Sequence, residues 1–270
     1  MFPKNYSKLY ARYAQSTRLF GVLEYVMKPG LRVLDIGAGL DLRASRWVAK
    51  HEAKEIMAVD PCLDFVSIDM TYPNLPEMIP YIQTRQMTLG EYWASLSTPG
   101  THFDLAICQQ GVNYWFNAPN AKIVANLLDE GGQFVFDTFN TKPDTVPRFK
   151  QYELDGRQYG EAVQLVGDMI YHWQMCEGLK PHFSWFRWIE PKEFDTTLRK
   201  FFPVVSRGRQ EKTDIYTCHK DEVSGSEWPC THPASTSVTT HNFPGLGYCR
   251  NPGNKIFCRN RFPSQFCPFY

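Results

Sequence analysis

The sequence lacks an excess of charge of either sign. Residues 1–220 contain 25 lysines and arginines and 25 aspartates and glutamates, and the whole chain of 270 residues carries a formal net charge of +1. Proteins that bind nucleic acid are usually basic, because neutralising phosphates supplies much of their affinity. The balanced charge therefore disfavours DNA or RNA as a partner and is compatible with a small-molecule ligand.

Long apolar runs are also missing. The first 25 residues are charged and aromatic, without the continuous apolar core of a signal peptide, and no window approaches the roughly 18 apolar residues that a membrane span needs. Four cysteines are scattered over the first 220 residues, at Cys62, Cys108, Cys176 and Cys218. Such scatter is typical of reduced thiols. The sequence therefore predicts a cytoplasmic protein with no membrane segment.

What the first 140 residues do contain is an alternation of helical and β-type segments. An amphipathic helix is predicted over residues 6–27, with Tyr6, Tyr10 and Tyr13 on one face. Five β-type runs follow, and a turn over 129–132 precedes the last of them. The runs are Leu31–Ile36, Glu55–Asp60, Tyr81–Arg85, Phe103–Gln109 and Gly132–Phe139. Mostly apolar strands that alternate with helices predict a doubly wound α/β fold with a mostly parallel sheet.

After Asn140 the pattern becomes one of short antiparallel strands. They are Arg148–Glu153, Glu161–Val166, Met169–Cys176 and His182–Ile189. A helix over Pro191–Phe201 and a hairpin of Pro203–Arg207 and Asp214–His219 are predicted to close the domain. The sequence therefore predicts one domain over residues 1–220, with a β-rich insertion at about 148–189 after the fifth strand.

Residues 221–270 differ in composition from the rest of the chain. They hold four of the eight cysteines and six of the 19 prolines, but only four residues among Leu, Ile, Val and Met. Such a segment buries little apolar surface by itself, so we expect a poorly ordered tail. The cysteines form no close pair of the C-x₂-C type, so no metal site is predicted.

A glycine-rich loop follows the first strand. The segment Val33–Gly39 reads VLDIGAG, and glycines there allow a sharp turn and bring bare backbone close to a ligand. A dinucleotide fold requires a third glycine where this chain has Leu42. Asp35 would repel a pyrophosphate but attract an ammonium group, such as the one on S-adenosylmethionine (SAM). Charge therefore favours SAM over NAD.

Asp60 ends the second strand, 21 residues beyond Gly39. An acidic residue at this place binds the ribose hydroxyls in nucleotide-binding folds. Asp60 therefore predicts an adenosine-containing ligand without separating SAM from NAD.

Together these segments resemble the class I SAM-dependent methyltransferases of the small-molecule type. Four motifs carry the resemblance: VLDIGAG at 33–39, VDP at 59–61, FDLAICQQGVNYW at 103–115 and LLDEGGQFVFDTF at 127–139. The resemblance extends over residues 6–219 and implies a seven-stranded sheet with an antiparallel closing strand. It also implies S-adenosyl-L-methionine as the cofactor and a set of cofactor-binding residues: Asp35, Gly37, Ala38, Gly39, Asp60, Pro61, Met87, Thr88, Gln109 and Gln110. Many members carry an Asp after the third strand, where this chain has Gln86-Met87-Thr88.

The predicted function is transfer of a methyl group to oxygen or nitrogen of a small-molecule acceptor. The aromatic-rich insertion is a candidate lid over the acceptor, and His172 is the candidate general base, since an imidazole removes protons near neutral pH. Two alternatives remain open at this point. One is an NAD(P)-dependent reductase on a similar sheet, and the other is a SAM-binding domain without catalytic activity.

Overall fold

A computed structural model describes most of residues 18–221. The described ranges are 18–39, 42–62, 82–96, 102–154, 156–178, 181–210, 212–221, 249–250 and 255–256. Within them, no helix is long and apolar enough to cross a membrane.

One seven-stranded sheet forms the centre of the domain, with the spatial order β10-β11-β5-β4-β1-β2-β3. Its strands are β1 (Arg32–Ile36), β2 (Glu55–Val59), β3 (Ile82–Arg85), β4 (Phe103–Cys108), β5 (Leu128–Phe139), β10 (Val204–Gln210) and β11 (Thr213–His219). The first five strands are parallel, whereas β11 runs antiparallel to both β5 and β10. The predicted doubly wound sheet with an antiparallel closing strand is confirmed.

Helices cover both faces of the sheet. They are α1 (Arg18–Val26), α2 (Arg43–Lys50), α3 (Leu89–Ser95), α4 (Val112–Trp115), α5 (Ala118–Leu127) and α6 (Pro191–Leu198). Alternate side chains of each buried strand enter different cores: Val33 packs with α1 and α2, whereas Leu34 packs with α3 to α6. Burial on both faces explains why these strands are continuous apolar runs in the sequence.

The insertion forms a separate antiparallel sheet in the order β6-β7-β8-β9. Its strands are β6 (Arg148–Leu154), β7 (Arg157–Val166), β8 (Met169–Cys176) and β9 (His182–Arg187). Ring contacts join it to the central sheet, because Phe186 packs against Tyr114 and Phe139 with centroid separations of 5.1 and 5.7 Å. The β-rich insertion after the fifth strand is therefore confirmed, and it lies against the carboxyl end of β5.

Several predicted boundaries were wrong. The strand predicted to begin at Glu161 begins at Arg157, the strand predicted to end at Arg207 extends to Gln210, and the strand predicted to end at Ile189 ends at Arg187. The helix predicted over Pro191–Phe201 ends at Leu198. The turn predicted over 129–132 is instead a bulge inside β5, since β4 pairs with Leu128 and again with Gln133. Gly131 has a φ of 76°, a left-handed value that glycine adopts without strain. The extra residues therefore loop out of the ladder without ending the strand.

Other predictions lie partly outside the described residues. Tyr6, Tyr10 and Tyr13 lie outside the described residues. Of the helix predicted over residues 6–27, only the part from Arg18 onward is described. Of the tail beyond Asp221, two short paired strands are described, β12 (Cys249–Arg250) and β13 (Lys255–Ile256). The expectation of a poorly ordered tail therefore stays a prediction.

Candidate functional site

The glycine loop lies at the carboxyl edge of the central sheet, between β1 and α2. Gly37 and Gly39 have φ values of 69° and 67°. The Gly37 and Ala38 amides donate to the Val59 carbonyl at 2.8 and 3.4 Å, which ties the loop to the end of β2. Leu42, at the place of a third glycine, has a φ of 46° and buries its side chain in the core.

Asp35 lies beneath the glycine loop and is fully buried. Its Oδ2 accepts hydrogen bonds from the Ser45 amide at 3.0 Å and the Ser45 hydroxyl at 2.6 Å. These contacts hold the first turn of α2 against β1. Direct contact of this carboxylate with an ammonium group stays a prediction.

Asp60 joins the loop to the end of β2. Its Oδ2 accepts from the Gly39 amide at 3.0 Å, and its Oδ1 accepts from the Cys62 amide at 2.6 Å. Burial raises the pKa of this carboxyl, and the two amide donors act in the opposite direction. Pro61, which follows it, is exposed. Asp60 therefore stands beside the glycine loop with each oxygen already holding one backbone donor.

The segment after β3 caps the helix that follows it. Thr88 caps α3: its hydroxyl accepts from the Glu91 amide at 3.2 Å, while the Glu91 carboxylate accepts from the Thr88 amide at 2.7 Å. Met87 is half-buried and packs against the core. Cofactor contact by Met87 and Thr88 remains a prediction, and the capping box accounts for the Thr88 side chain without it.

The turn after β4 approaches the glycine loop closely. A Cβ built on Gly111 would lie at an ordinary contact distance of 3.5 Å from Gly37 O and at a tighter 3.3 Å from Cys108 Sγ. The turn therefore runs beside the glycine loop, and a side chain here would crowd the Cys108 thiol. Gln109 and Gln110 are half-buried in this turn, and Gln110 has a φ of 55°. Gly111 was not predicted from the sequence as a site residue, although its motif shows a second glycine at the end of a neighbouring strand.

Asp137, near the end of β5, holds this turn in place. Its Oδ1 accepts the Gln110 amide at 2.6 Å, and the residue is 1% exposed. Burial raises the pKa of this carboxyl to about 6, against the opposing effects of the Gln110 amide and the positive charge of Arg18. Asp137 lies inside a motif of the sequence but was not predicted to have a role, because an acidic residue in an apolar strand is equally compatible with a surface position.

Asn113 links the same edge to the insertion. Its Nδ2 donates to the Arg187 carbonyl at 3.3 Å, and its Oδ1 accepts from the Thr138 hydroxyl at 2.7 Å. Tyr114 and Phe139, beside it, leave 36% and 42% of their surfaces exposed. The carboxyl edge therefore carries aromatic surface next to the insertion.

His172 lies on β8 within the insertion. Its Nε2 is 3.2 Å from Glu161 Oε1, and this contact holds the pKa of Glu161 below its usual value. The neighbouring His182 is buried, which lowers its pKa to about 4, and the charge of His172 acts in the same direction. The described contacts of His172 are with side chains of the insertion itself.

The structure thus brings most of the predicted cofactor-binding residues to one edge of the sheet. The ends of β1, β2 and β4 meet there through the contacts of Gly37, Gly39, Asp60 and Gly111, and Asp137 adds the end of β5. A surface depression lined by His102, Asp104, Asp129, Glu130 and Lys220 lies at the opposite edge, away from this loop. In the described ranges, no group of three or more His, Cys, Asp and Glu is arranged to hold a metal ion.

Comparison with proteins of known structure identifies the fold. No protein-family model and no curated protein matches the sequence. A SAM-dependent methyltransferase from Clostridium acetobutylicum is similar in structure, with a TM-score of 0.57 and 16% identity over 79% of this chain and 95% of that one.

Two further structures give the same result. An amino pentose methyltransferase from Micromonospora echinaspora, solved with SAM bound, has a TM-score of 0.57 and 12% identity over 82% of this chain and 98% of its own. The 1,6-didemethyltoxoflavin-N1-methyltransferase of Burkholderia thailandensis has a TM-score of 0.51 and 12% identity over 81% and 84%. The chain therefore has the fold of the SAM-dependent methyltransferases, as its motifs suggested.

Proposed function

We propose that the chain is a SAM-dependent methyltransferase that transfers a methyl group to oxygen or nitrogen of a small-molecule acceptor. The observation that carries the proposal is the concentration of acidic side chains around the glycine loop. Asp35, Asp60 and Asp137 end or nearly end three strands at the same edge, and each is at most 9% exposed. A cationic ligand suits this edge better than an anionic one, because buried charges interact strongly.

The same charge argument opposes the alternative of a nicotinamide-dependent reductase. A pyrophosphate would lie on the loop between β1 and α2, at the helix N-terminus. Asp35 lies directly beneath that loop, and its bonds to Ser45 already occupy the first turn of α2. SAM carries a sulfonium and an ammonium group and no phosphate, so its charge complements this edge.

The residues present fit SAM in two respects. The backbone of Gly37, Ala38 and Gly39 forms a turn with left-handed glycines, which leaves room for the methionine end. Asp60 lies beside this turn, and its oxygens keep lone pairs for the ribose hydroxyls after accepting one amide each. Bound there, SAM would supply an electrophilic methyl group on a positively charged sulfur.

The acceptor is expected to bind between the carboxyl edge and the insertion. Tyr114 and Phe139 offer exposed aromatic surface there, and Asn113 fixes the backbone of the insertion at Arg187. Holding an acceptor in line with the methyl group supplies much of the catalysis, as proximity effects do in general. Two of the similar structures are named for small acceptors, an amino pentose and 1,6-didemethyltoxoflavin, which supports a small molecule here. His172 remains the candidate base.

Calorimetry with S-adenosylhomocysteine (SAH) and with NADH tests the proposal on the full-length chain. We expect SAH to bind and NADH not to bind. Asp60→Ala should weaken SAH binding by about tenfold, since it removes charge-assisted hydrogen bonds. The matched control is Asp104→Ala, at the opposite edge beside Arg32, which should leave SAH affinity unchanged. Binding of NADH in place of SAH would overturn the proposal.

A second measurement separates an enzyme from a SAM-binding domain without activity. Transfer of a labelled methyl group from SAM to a panel of small amines, phenols and sugars is followed over time. We expect label in at least one acceptor. SAH binding with no transfer to any of these classes would favour the non-catalytic alternative.

A further inference from the structure

Only one of the two carboxylate oxygens of Asp137 accepts a hydrogen bond from the described residues. Its Oδ1 accepts the Gln110 amide at 2.6 Å, whereas its Oδ2 is buried and accepts no hydrogen bond within the described part of the chain. The whole residue is 1% exposed. A buried carboxylate oxygen without a donor is costly, so such an oxygen calls for a ligand that donates to it.

Asp137 lies near the glycine loop, so a ligand bound at that loop is the candidate donor to Oδ2. Asp137 contacts the Gln110 turn, and the next glycine of that turn passes within contact distance of the Gly37 backbone. The buried Cys108 thiol, at the same crossing, feels the negative charges of both Asp137 and Asp35, which raise its pKa in addition to the larger effect of burial. Asp137 therefore belongs to the same edge as the glycine loop.

The three acidic residues at this edge make different hydrogen bonds. Asp35 Oδ2 accepts both bonds from Ser45 and holds the start of α2, and Asp60 accepts one backbone amide on each oxygen. Asp137 Oδ2 accepts no hydrogen bond from the described residues. Its neighbouring cation, Arg18, donates to the Thr213 hydroxyl at 3.0 Å.

We propose that Asp137 Oδ2 binds the α-ammonium group of SAM, so that the end of β5 completes the cofactor site begun by the glycine loop. The inference rests on the proposed function. An ammonium group is the donor that such an oxygen binds most strongly, because charge-assisted hydrogen bonds are about twice as strong as neutral ones. Asp137 is thus a cofactor-binding residue that fixes the methionine end, while Gln110 is held by the other oxygen of the same carboxylate.

The test compares two ligands that differ by a single group. They are SAH and its des-amino analogue, in which hydrogen replaces the α-amino group. Binding of each to the full-length chain and to Asp137→Asn is measured by calorimetry at pH 7.5. Asparagine keeps the shape and an oxygen for the Gln110 amide but removes the charge. We expect the substitution to weaken SAH binding by about tenfold to a hundredfold and to leave the des-amino analogue within about twofold.

The matched control is Asp129→Asn, the same substitution at the other end of β5, where the carboxylate pairs with Arg32. It should change neither affinity. Equal weakening of both ligands by Asp137→Asn would mean that the residue only shapes the turn, and unchanged SAH binding would mean that it does not contact the ligand. Either result overturns the inference, whereas the proposed function stands as long as the wild-type protein binds SAH. A wild-type protein that binds no SAH would instead overturn the proposed function.

Discussion

At the scale of single residues, the buried Asp137 links stability to pH. Its pKa of about 6 in the folded protein exceeds the value of about 3.9 in an unfolded chain. The folded state therefore holds this proton more tightly, and the stability contribution present below about pH 4 is lost as the pH rises through about 6. At neutral pH the ionised carboxylate lowers the free energy of unfolding by roughly 3 kcal/mol.

We predict that Asp137→Asn raises the free energy of unfolding by about 1–2 kcal/mol at pH 7.5 and that the gain disappears near pH 4. Urea unfolding of both proteins at the two pH values measures the difference in unfolding free energy between them. Other buried titratable groups, such as His182 and His219, are present in both proteins, so their contributions cancel in this difference. A variant less stable than wild type at pH 7.5 would contradict the assignment of a destabilising charge. Increased stability combined with lost SAH affinity is the expected signature of a ligand-binding carboxylate.

Gly37 and Gly111 are expected to respond differently to substitution by alanine. The backbone conformation favours glycine at position 37, whereas limited space for a side chain favours glycine at position 111. A side chain on Gly37 meets only ordinary contacts at 3.8 Å or more, but its φ of 69° is strained for other residues. Gly111 has no positive φ, but a Cβ there would crowd Cys108 Sγ at 3.3 Å. Gly37→Ala should therefore cost about 1–2 kcal/mol of unfolding free energy through strain. Gly111→Ala should instead press on the Cys108 thiol, shift the turn after β4 and weaken SAH binding.

Urea unfolding and calorimetry on the two alanine variants separate strain from crowding. Gly90→Ala serves as the control, since a Cβ at this position in α3 meets nothing within 4 Å, and it should raise stability by roughly 0.5 kcal/mol. SAH affinity that is unchanged in Gly111→Ala would show that the approach of the two turns is unrelated to the cofactor.

At the scale of elements, the capping box of α3 allows the role of Thr88 to be measured. Its hydroxyl accepts the Glu91 amide, and the returning hydrogen bonds hold the pKa of Glu91 below its usual value. Thr88→Ala should lower the unfolding free energy by about 1 kcal/mol, whereas Thr88→Ser keeps the cap and should stay within about 0.5 kcal/mol of wild type. Equilibrium unfolding provides the comparison. SAH affinity lost in both variants without a change in stability would instead indicate ligand contact.

Elements were predictable where the local pattern decides them. The parallel strands were visible as apolar runs because both of their faces are buried, and the insertion was visible as a series of short β-type segments. The bulge at 129–132 was mistaken for a turn, since Asp, Glu and two glycines favour a turn and only pairing with β4 reveals a strand on both sides. Local sequence therefore predicts whether a segment forms a strand better than it predicts where that strand begins, because pairing with a neighbouring strand decides the boundary.

At the scale of the whole molecule, the site depends on which strands become neighbours. The motif VLDIGAG predicted the glycine loop, because the turn is encoded within seven residues. The role of Asp137 was not predictable in this way, since it requires β5 to lie beside β4 and the Gln110 turn to fold back over it. Residues 27 positions apart along the chain meet only after the sheet has formed. The acidic character of the edge is therefore a property of the topology.

The same topology predicts where the folded domain ends. Lys220 donates its amide to the Gly132 carbonyl at 3.0 Å and its ammonium to the Leu128 carbonyl, and the Asp221 carboxylate accepts the Gly131 amide. These two residues therefore connect the end of β11 to the β5 bulge. A chain of residues 1–221 should keep the wild-type unfolding midpoint and bind SAH within about twofold of full length.

A chain of residues 1–219 is the matched control for that truncation. It loses three hydrogen bonds to the bulge, at about 1 kcal/mol each, so we expect its unfolding free energy to fall by roughly 1–3 kcal/mol. Urea unfolding and SAH calorimetry on the three chain lengths give the comparison. If residues 1–221 unfold at lower urea than the full chain, or bind SAH several-fold more weakly, the tail belongs to the folded domain. If only the shorter chain is weakened, the domain ends at Asp221 and the cofactor site is complete without the residues that follow.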